Sequence, residues 1–300
     1  MTQSYLHWDV FTGERFLGNQ LAVFTDARGL DTATMQRLTR EMNFSESTFI
    51  LPAESPGTDV RMRIFTPTQE MPMAGHPTIG STFCLAHTGV LAPGQPRVVF
   101  GLNVGPTPVD LEWRDSQLTF AWMTQGLPEF GPVLDDRALV ASTLGLGAED
   151  LMVGLPIQTV SCGFPVLFVP VHDRQAVDRA VSDAAALGRL TGLLGRVLPV
   201  FLFTVLPPGG EATVYSRMFA PEFGIIEDPA TGGATGPLGC YLVQHGLVGP
   251  EAAASMLSLQ GVAMGRRSSL HISIDGAPDA ITGVRVGGEA VLVGRGELYL

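Results

Sequence analysis

The stretch Glu70–Leu91, EMPMAGHPTIGSTFCLAHTGVL, decides how the chain is expected to fold, because the chain contains a second version of it. The second version, EDPATGGATGPLGCYLVQHGLV, covers Glu227–Val248. Aligned without gaps, the copies share an acid, a proline, two glycines, a threonine and a leucine. A related pentapeptide precedes each copy, RIFTP at 63–67 and RMFAP at 217–221. A duplicated order of strand, turn and helix predicts two similar halves.

Each copy ends in an apolar segment of helical length, predicted as a helix over Thr78–His87 and again over Thr235–Gln244. Neither segment has much of a polar face, so both helices are expected to be buried. The turns before them carry Gly75-His76 and Gly232-Gly233. Unpaired N–H groups at helix N-termini bind anions, and glycine lets a ligand approach the backbone closely. Two such N-termini facing one another would suit a small carboxylic acid.

The bulk composition is that of a soluble globular protein of 300 residues, with 45% hydrophobic and 16% charged residues. No apolar run approaches the roughly 20 residues that a membrane span needs. The net charge of −11 argues against nucleic acid and anionic membranes as partners. No signal peptide is visible in the first residues, so the three cysteines are expected to be reduced thiols in the cytoplasm.

The chain contains no lysine, since all 18 of its basic residues are arginine. A lysine Schiff base is therefore excluded, together with ordinary pyridoxal-phosphate chemistry and a Walker A loop. The six histidines are scattered without the close pairing of a zinc motif, and no GxGxxG follows a strand. We therefore expect no cofactor and no catalytic metal, and chemistry carried out by side chains alone.

Short apolar runs with a period of two predict strands through both halves, an α+β arrangement. A single helix is predicted over Arg174–Leu187. Glycine and proline become frequent near Gln125–Val133, which places a domain boundary between residues 126 and 127. The halves are then residues 1–126 and 127–300, and the last strand, within 289–300, is expected to join the first half.

Six motifs lie in order along nearly the whole chain. They are Asp9-Val10-Phe11, Gly18-Asn19-Gln20-Leu21-Ala22-Val23, Asn43-Phe44-Ser45-Glu46-Ser47-Thr48-Phe49, Ala74-Gly75-His76-Pro77-Thr78-Ile79-Gly80, Glu227-Asp228-Pro229-Ala230-Thr231-Gly232 and Gly265-Arg266. Any one of these motifs is a weak signal, but together they are specific, and they resemble the phenazine-biosynthesis PhzF family.

The resemblance implies the diaminopimelate-epimerase-like fold, with two pseudo-symmetric halves and the active site between them. Each half would be a curved, mostly antiparallel, barrel-like sheet around a central apolar helix. The resemblance also implies an enzyme without a cofactor, usually a homodimer. The best-known activity of the family isomerises trans-2,3-dihydro-3-hydroxyanthranilate by moving a proton.

The family's motif glutamate falls on Glu46, our candidate for the group that both takes and returns the proton. A carboxyl group in apolar surroundings has a raised pKa and can do both; the alternative is an exposed strand glutamate. His76 is the candidate hydrogen-bond donor or proton relay, or else a structural histidine in a turn. Asp228 would bind an amine or orient the substrate, unless it only complements a helix dipole.

The remaining candidates would bind the substrate. Backbone N–H groups of Gly75 and Gly232 are expected to contribute, and Arg266 could hold a carboxylate or lie in a solvated basic turn. The full set of expected binding residues is Asn19, Ser45, Gly75, Thr231, Gly232, Gly233 and Arg266.

One position departs from the family pattern. After Thr-Gly the family usually has serine, and this chain has Gly233. The missing hydroxyl weakens the case for the phenazine substrate more than it weakens the case for the fold.

Related racemases and epimerases of this fold use one cysteine thiol from each half, and the positions of those thiols are here Ala74 and Thr231. The cysteines Cys84 and Cys240 lie inside the apolar helices instead, where cysteine is a small core residue. A two-thiol racemase is therefore disfavoured.

The leading hypothesis is a cofactor-independent isomerase of a small amino or hydroxy acid, cyclic ones included, with Glu46 as base and acid. The alternative is a catalytically silent binding or scaffold protein that has kept the fold. Gly233 favours that alternative slightly, whereas Glu46, His76 and Asp228 together favour the enzyme.

Overall fold

The computed structural model describes residues 2–300. The chain divides into two compact units, unit 1 (Met1–Thr124 with Val286–Leu300) and unit 2 (Gln125–Arg285). The domain boundary expected from the sequence, between residues 126 and 127, stays a prediction.

The helices are α1 Thr32–Met42, α2 Gly75–His87, α3 Arg137–Thr143, α4 Arg174–Arg179, α5 Ala184–Gly192, α6 Gly232–Gln244 and α7 Pro250–Ala253. The strands are β1 Thr2–Val10, β2 Asn19–Phe24, β3 Glu46–Pro52, β4 Val60–Phe65, β5 Glu70–Met71, β6 Arg97–Leu102, β7 Gly105–Arg114, β8 Gln117–Thr124, β9 Glu129–Val133, β10 Gln158–Ser161, β11 Pro165–Pro170, β12 Val200–Val205, β13 Val214–Ala220, β14 Ile225–Asp228, β15 Met256–Gln260, β16 Ser268–Ala277, β17 Ala280–Gly288 and β18 Ala290–Tyr299.

The sheet of unit 1 is mostly antiparallel. Antiparallel partners are β1 with β2 and β18, β3 with β4, β4 with β5, β6 with β7, and β7 with β8. Parallel pairing joins β2 to β3, where Leu21 lies opposite Glu46, and β4 to β6. The last strand of the chain therefore pairs with the first.

Helix α2 is the centre of unit 1. All eleven residues from Gly75 to Leu85 are buried, and the helix contacts β1, β2, β3, β8 and β18. A side chain at Gly80 would collide with Leu21 and Val10, since a Cβ there would lie 2.6 Å from a carbon of each. Glycine at this position lets the helix lie directly on β1 and β2.

Unit 2 repeats this order of elements. Strand β11 pairs parallel with β12, and β13 pairs parallel with β15, as their counterparts do in unit 1. The central helix is α6, whose residues from Ala234 to Val243 are all buried and which contacts β10, β11 and β16. Gly239 allows close contact with β16, because a Cβ there would lie 2.5 Å from Ile272. The predicted α+β fold with two similar halves is confirmed.

The acid that opens each copy of the repeat pairs with the arginine of the preceding pentapeptide. Arg63 donates through Nε and Nη2 to Glu70, at 2.8 and 2.6 Å. Arg217 donates in the same way to Glu227, at 2.8 and 2.7 Å. Each guanidinium also lies over the phenylalanine two residues later. The repeat therefore preserves a bidentate ion pair that fixes the turn before each central helix.

The Arg63–Glu70 pair makes stability depend on pH. Hydrogen bonding to Arg63 lowers the pKa of Glu70 below its ordinary 4.5. The pair's contribution is therefore fully present above pH 4.5 and is lost as the pH falls through the folded pKa. Glu70→Gln is expected to cost on the order of 1 kcal/mol at neutral pH, since the pair is partly exposed. The difference in the free energy of unfolding between the wild type and Glu70→Gln should become smaller below that pKa.

Urea denaturation of the wild type and of Glu70→Gln at a series of decreasing pH values measures this difference in the free energy of unfolding. Glu41→Gln, an exposed glutamate in the same unit, is the matched control. A difference in unfolding free energy that stays constant down to acid pH would contradict the stabilising role of the Arg63–Glu70 pair.

The single helix expected over Arg174–Leu187 is wrong, because two helices cover this stretch. Helix α4 ends where Ala180 takes an extended conformation, with φ −59° and ψ 142°. A new helix starts at Asp183, whose side chain accepts from the Ala186 N–H. An aspartate side chain that accepts from a backbone N–H of the first turn marks the N-terminus of a helix. The central helices also begin three residues earlier than expected, at Gly75 and Gly232.

Within residues 2–300, none of the helices has the length and apolar character needed to cross a membrane.

Candidate active site

Glu46 and His76 form the central contact of the candidate site in unit 1. Glu46 is the first residue of β3 and His76 is the second residue of α2. Glu46 Oε2 lies 2.9 Å from His76 Nδ1. The residues are 8% and 2% exposed, so the carboxyl group and the imidazole meet almost out of solvent. A buried carboxyl group hydrogen-bonded to an imidazole is suited to proton transfer.

Asn19, the first residue of β2, completes this group. Its Nδ2 lies 3.3 Å from the same ring nitrogen, His76 Nδ1, and the residue is 1% exposed. Asn19 is predicted to bind substrate, and that role stays a prediction. The other ring nitrogen, His76 Nε2, is buried and has no hydrogen-bond partner among residues 2–300.

No side chain caps the first turn of α2. Its N-cap residue, Ala74, has no side chain that could accept from the first backbone N–H groups. Gly75 begins the helix, and Ser45 is half-buried immediately before β3. Uncapped N–H groups at a helix start favour an anion such as a carboxylate.

Asp228 and Thr231 form the centre of the candidate site in unit 2. The Thr231 hydroxyl donates to Asp228 Oδ2 at 2.5 Å. Asp228, the last residue of β14, is 5% exposed. Gly232 and Gly233 are the first two residues of α6, whose N-cap Thr231 makes no side-chain cap hydrogen bond.

Gln260, at the end of β15, holds this loop and was not predicted. Its amide Nε2 donates to the Asp228 carbonyl at 2.7 Å and to the Thr231 hydroxyl at 2.9 Å. Its Oε1 accepts from the Thr231 N–H at 3.1 Å. No motif marks it in the sequence, where it reads as an ordinary polar residue before a turn. A fully buried glutamine with these partners fixes the orientation of Asp228 and Thr231.

Arg266 is half-buried in the turn before β16. Its backbone N–H donates to the Gly261 carbonyl, and its own carbonyl accepts from the Ser268 hydroxyl. The neighbouring Arg267 is half-exposed and lies 3.3 Å from Glu211.

The two units differ at the positions of the predicted catalytic residues Glu46 and His76. The segment Gly163–Val169 corresponds to Gly18–Phe24, so Leu167 corresponds to Ala22. The partner of Ala22 on the parallel strand of unit 1 is Ser47, and the partner of Leu167 in unit 2 is Val200. The residue before each partner is Glu46 in unit 1 and Pro199 in unit 2. In the repeat, His76 corresponds to Gly233. Unit 2 therefore has a proline and a glycine where unit 1 has the carboxyl–imidazole pair.

The three thiols are buried, and Cys84 and Cys240 lie inside α2 and α6. Burial raises the pKa of Cys84 to about 12. The neighbouring thiol of Cys240, 3.9 Å away, and burial raise the pKa of Cys162. Thiols of this kind are poor nucleophiles because the reactive form is the thiolate.

We expect the folded protein to react with much less than one equivalent of iodoacetamide near neutral pH, and all three thiols to react in denaturant. Mass spectrometry of the alkylated protein counts the modified cysteines. Rapid modification of a thiol in the folded protein would contradict this expectation and favour the hypothesis of a two-thiol racemase.

Comparison with known proteins identifies the family. The sequence model described as "Phenazine biosynthesis-like protein" (PhzC-PhzF) matches residues 8–296. The chain is 35% identical to the trans-2,3-dihydro-3-hydroxyanthranilate isomerase of Pseudomonas fluorescens, over 99% of each chain.

Solved structures agree with this assignment. A phenazine biosynthesis protein of the PhzF family from Bacillus anthracis superimposes with a TM-score of 0.87 at 26% identity, over all of both chains. A predicted epimerase from Pseudomonas aeruginosa superimposes with a TM-score of 0.83 at 35% identity, over 99% of each. The epimerase-like fold is confirmed, and the chain is an isomerase that belongs to the PhzF family.

Proposed function

We propose that this isomerase moves a proton within a small amino or hydroxy acid, cyclic ones included, without a cofactor, and that Glu46 both removes and returns the proton. The observation that carries the proposal is the buried contact of 2.9 Å between Glu46 Oε2 and His76 Nδ1 at the open start of α2. Such a carboxyl group can accept a proton from carbon and give it back.

The steps follow from the groups in unit 1. A substrate carboxylate binds the free N–H groups of the first turn of α2. Glu46 takes a proton from a carbon of the substrate, so a C–H bond breaks and an O–H bond forms. His76 Nε2, buried and without a partner among the described residues, interacts with a polar group of the substrate. Glu46 then returns the proton to a different carbon on the same face of the substrate.

Asp228 is proposed to bind an amine or to orient the substrate. Its burial, its negative charge and its hydrogen bond from Thr231 support this role. The open start of α6 at Gly232 and Gly233 would bind a second anionic group. Arg266 is proposed to hold a carboxylate.

The choice of substrate depends on Gly233. The relative from Pseudomonas fluorescens is named for trans-2,3-dihydro-3-hydroxyanthranilate. In this chain Gly233 offers no hydroxyl to a substrate, so a different small acid fits the proposal equally well. That dihydro acid is therefore only the first compound in the test.

The test is ¹H NMR of a panel of small amino and hydroxy acids in heavy water with the purified protein. The panel contains proline, hydroxyproline and the dihydro acid. We expect one C–H signal of at least one acid to disappear or move as the proton is exchanged or transferred. If the protein broadens signals of an acid but exchanges no proton, the silent binding protein is the correct description.

A further inference from the structure

Thr78, in the first turn of α2, donates a hydrogen bond back to the start of its own helix. Its Oγ1 lies 2.7 Å from the carbonyl oxygen of Ala74, the N-cap residue. The Thr78 side chain is completely buried. A carbonyl oxygen can only accept, so the hydroxyl is the donor and the direction of this bond is fixed.

The same bond occurs at the equivalent position of unit 2. Thr235 aligns with Thr78 in the repeat, and its Oγ1 donates to the carbonyl of the N-cap residue Thr231 at 2.9 Å. Threonine is a poor helix former, and a hydroxyl bound to a carbonyl of the preceding turn slightly destabilises a helix. Thr82 makes a similar bond one turn later, but its counterpart in the repeat is Gly239. The two units therefore share this bond only at the helix start, which favours a role there other than helix formation.

The bond from Thr78 acts on the first free N–H of α2. The Ala74 carbonyl and the Gly75 N–H belong to one planar trans peptide group and point in opposite directions. A carbonyl held by Thr78 inside the first turn therefore directs the Gly75 N–H out of the helix start. Accepting a hydrogen bond also polarises the peptide group and makes its N–H a stronger donor. No side chain caps this N–H.

A second feature of the same helix start points to a ligand. His76, the residue after Gly75, is almost completely buried, and its Nε2 has no hydrogen-bond partner among residues 2–300. Buried polar groups in folded proteins nearly always have a partner, which a ligand can supply. The oriented N–H and the unpartnered ring nitrogen thus belong to consecutive residues, where the substrate carboxylate is proposed to bind.

We propose that Thr78 is a positioning residue that orients and polarises the first peptide group of α2, so that the Gly75 N–H binds the carboxylate of the substrate. This inference rests on the place of the carboxylate in the proposed function. Thr78 itself does not contact the substrate and takes no part in the proton transfer. Its loss should weaken carboxylate binding and leave Glu46 in place as the base.

The Gly75 N–H can be observed by itself, because Ala74-Gly75 is the only Ala-Gly pair in the sequence. Full-length protein labelled with ¹³C-carbonyl alanine and ¹⁵N glycine gives one amide signal that is coupled to a labelled carbonyl, that of Gly75. Acetate, added at constant ionic strength, is the probe. We expect the Gly75 signal of the wild type to move with acetate concentration and to saturate. A signal that does not move overturns the proposal without need of any variant.

Thr78→Val removes the hydroxyl and nearly keeps the size of the side chain. The Kd for acetate should become about two- to fivefold higher, because a polarised hydrogen bond to a charged group is weakened. Thr78→Ser keeps a hydroxyl and should bind acetate as the wild type does.

The matched control is Thr82→Val, since Thr82 is equally buried and donates in the same way, to the Thr78 carbonyl at 2.8 Å. The control should leave the Kd for acetate unchanged. Equal Kd values for the folded Thr78→Val protein and the wild type, or the same weakening in Thr82→Val, overturn the proposal.

The second readout is steady-state kinetics with an acid that the protein isomerises. Thr78→Val should raise KM by about the same factor and lower kcat less, because the lost contact holds the carboxylate before and during the reaction alike. A fall in kcat with an unchanged KM overturns the positioning role. If acetate binds as expected but no acid of the panel exchanges a proton, the proposed function fails and the role of Thr78 in carboxylate binding stands.

Discussion

Replacing Glu46 with glutamine is expected to lower turnover substantially. General acid–base assistance provides roughly 10²–10⁴-fold. The loss should be at the high end, because one group performs both proton transfers. The fold should persist, since glutamine has nearly the size of glutamate and its side-chain amide can still hydrogen-bond to His76 Nδ1. The turnover number of the purified variant, measured with an acid found by NMR, gives the result.

Two variants accompany this measurement. His76→Asn should reduce turnover less, because it removes a hydrogen-bonding group and leaves the base. Glu41→Gln, at an exposed glutamate of α1, should leave turnover unchanged. Retention of more than about a tenth of the wild-type turnover by Glu46→Gln would lie well outside the range for such a group. Asp228 would then be the next candidate for the base.

Replacing Arg217 with methionine should destabilise the protein by about 1.5–3 kcal/mol, the usual contribution of hydrogen bonds to a charged group that is largely removed from solvent. The side chains of Arg217 and Glu227 are only 11% and 15% exposed. Arg217 Nη1 also donates to the carbonyls of Val177, Asp178 and Ala180, at 3.1, 3.1 and 2.7 Å. The substitution leaves a carboxylate and three carbonyls without this donor.

Urea denaturation measures the loss of unfolding free energy in Arg217→Met and in the control Arg179→Met, each relative to the wild type. The Arg179 side chain is 53% exposed and pairs with Asp150 at 2.6 Å, so its loss should cost less than about 1 kcal/mol. Equal losses in the two variants would show that the Arg217 pair does not stabilise the turn before α6.

The repeat allowed the sequence to predict two buried helices, but not where they begin. Gly75-His76-Pro77 looks like a turn, yet it forms the first turn of α2. Proline is tolerated there because its missing N–H would have no helical partner. The prediction of one helix over Arg174–Leu187 takes no account of Asp183, whose side chain caps α5.

The sequence identified Glu46 and His76 through their motifs, but their contact depends on pairing over long separations. The parallel pairing of β2 with β3 places Glu46 beside the start of β2, where Asn19 lies. No local pattern predicts that pairing, so the contact of Asn19 with His76 could not be predicted from the sequence. Gln260 was missed for the same reason, since its partners are about 30 residues away in sequence.

The most direct test of the central claim, that one glutamate removes and returns the proton, is the stereochemistry of deuterium in the product. The wild-type protein is run in heavy water with an acid that it isomerises, and the product is analysed by NMR. A single acid–base group should deliver all incorporated deuterium to one face of one carbon, and Glu46→Gln should deliver none at a comparable rate. Deuterium on both faces, or the same labelling by Glu46→Gln, would contradict the account.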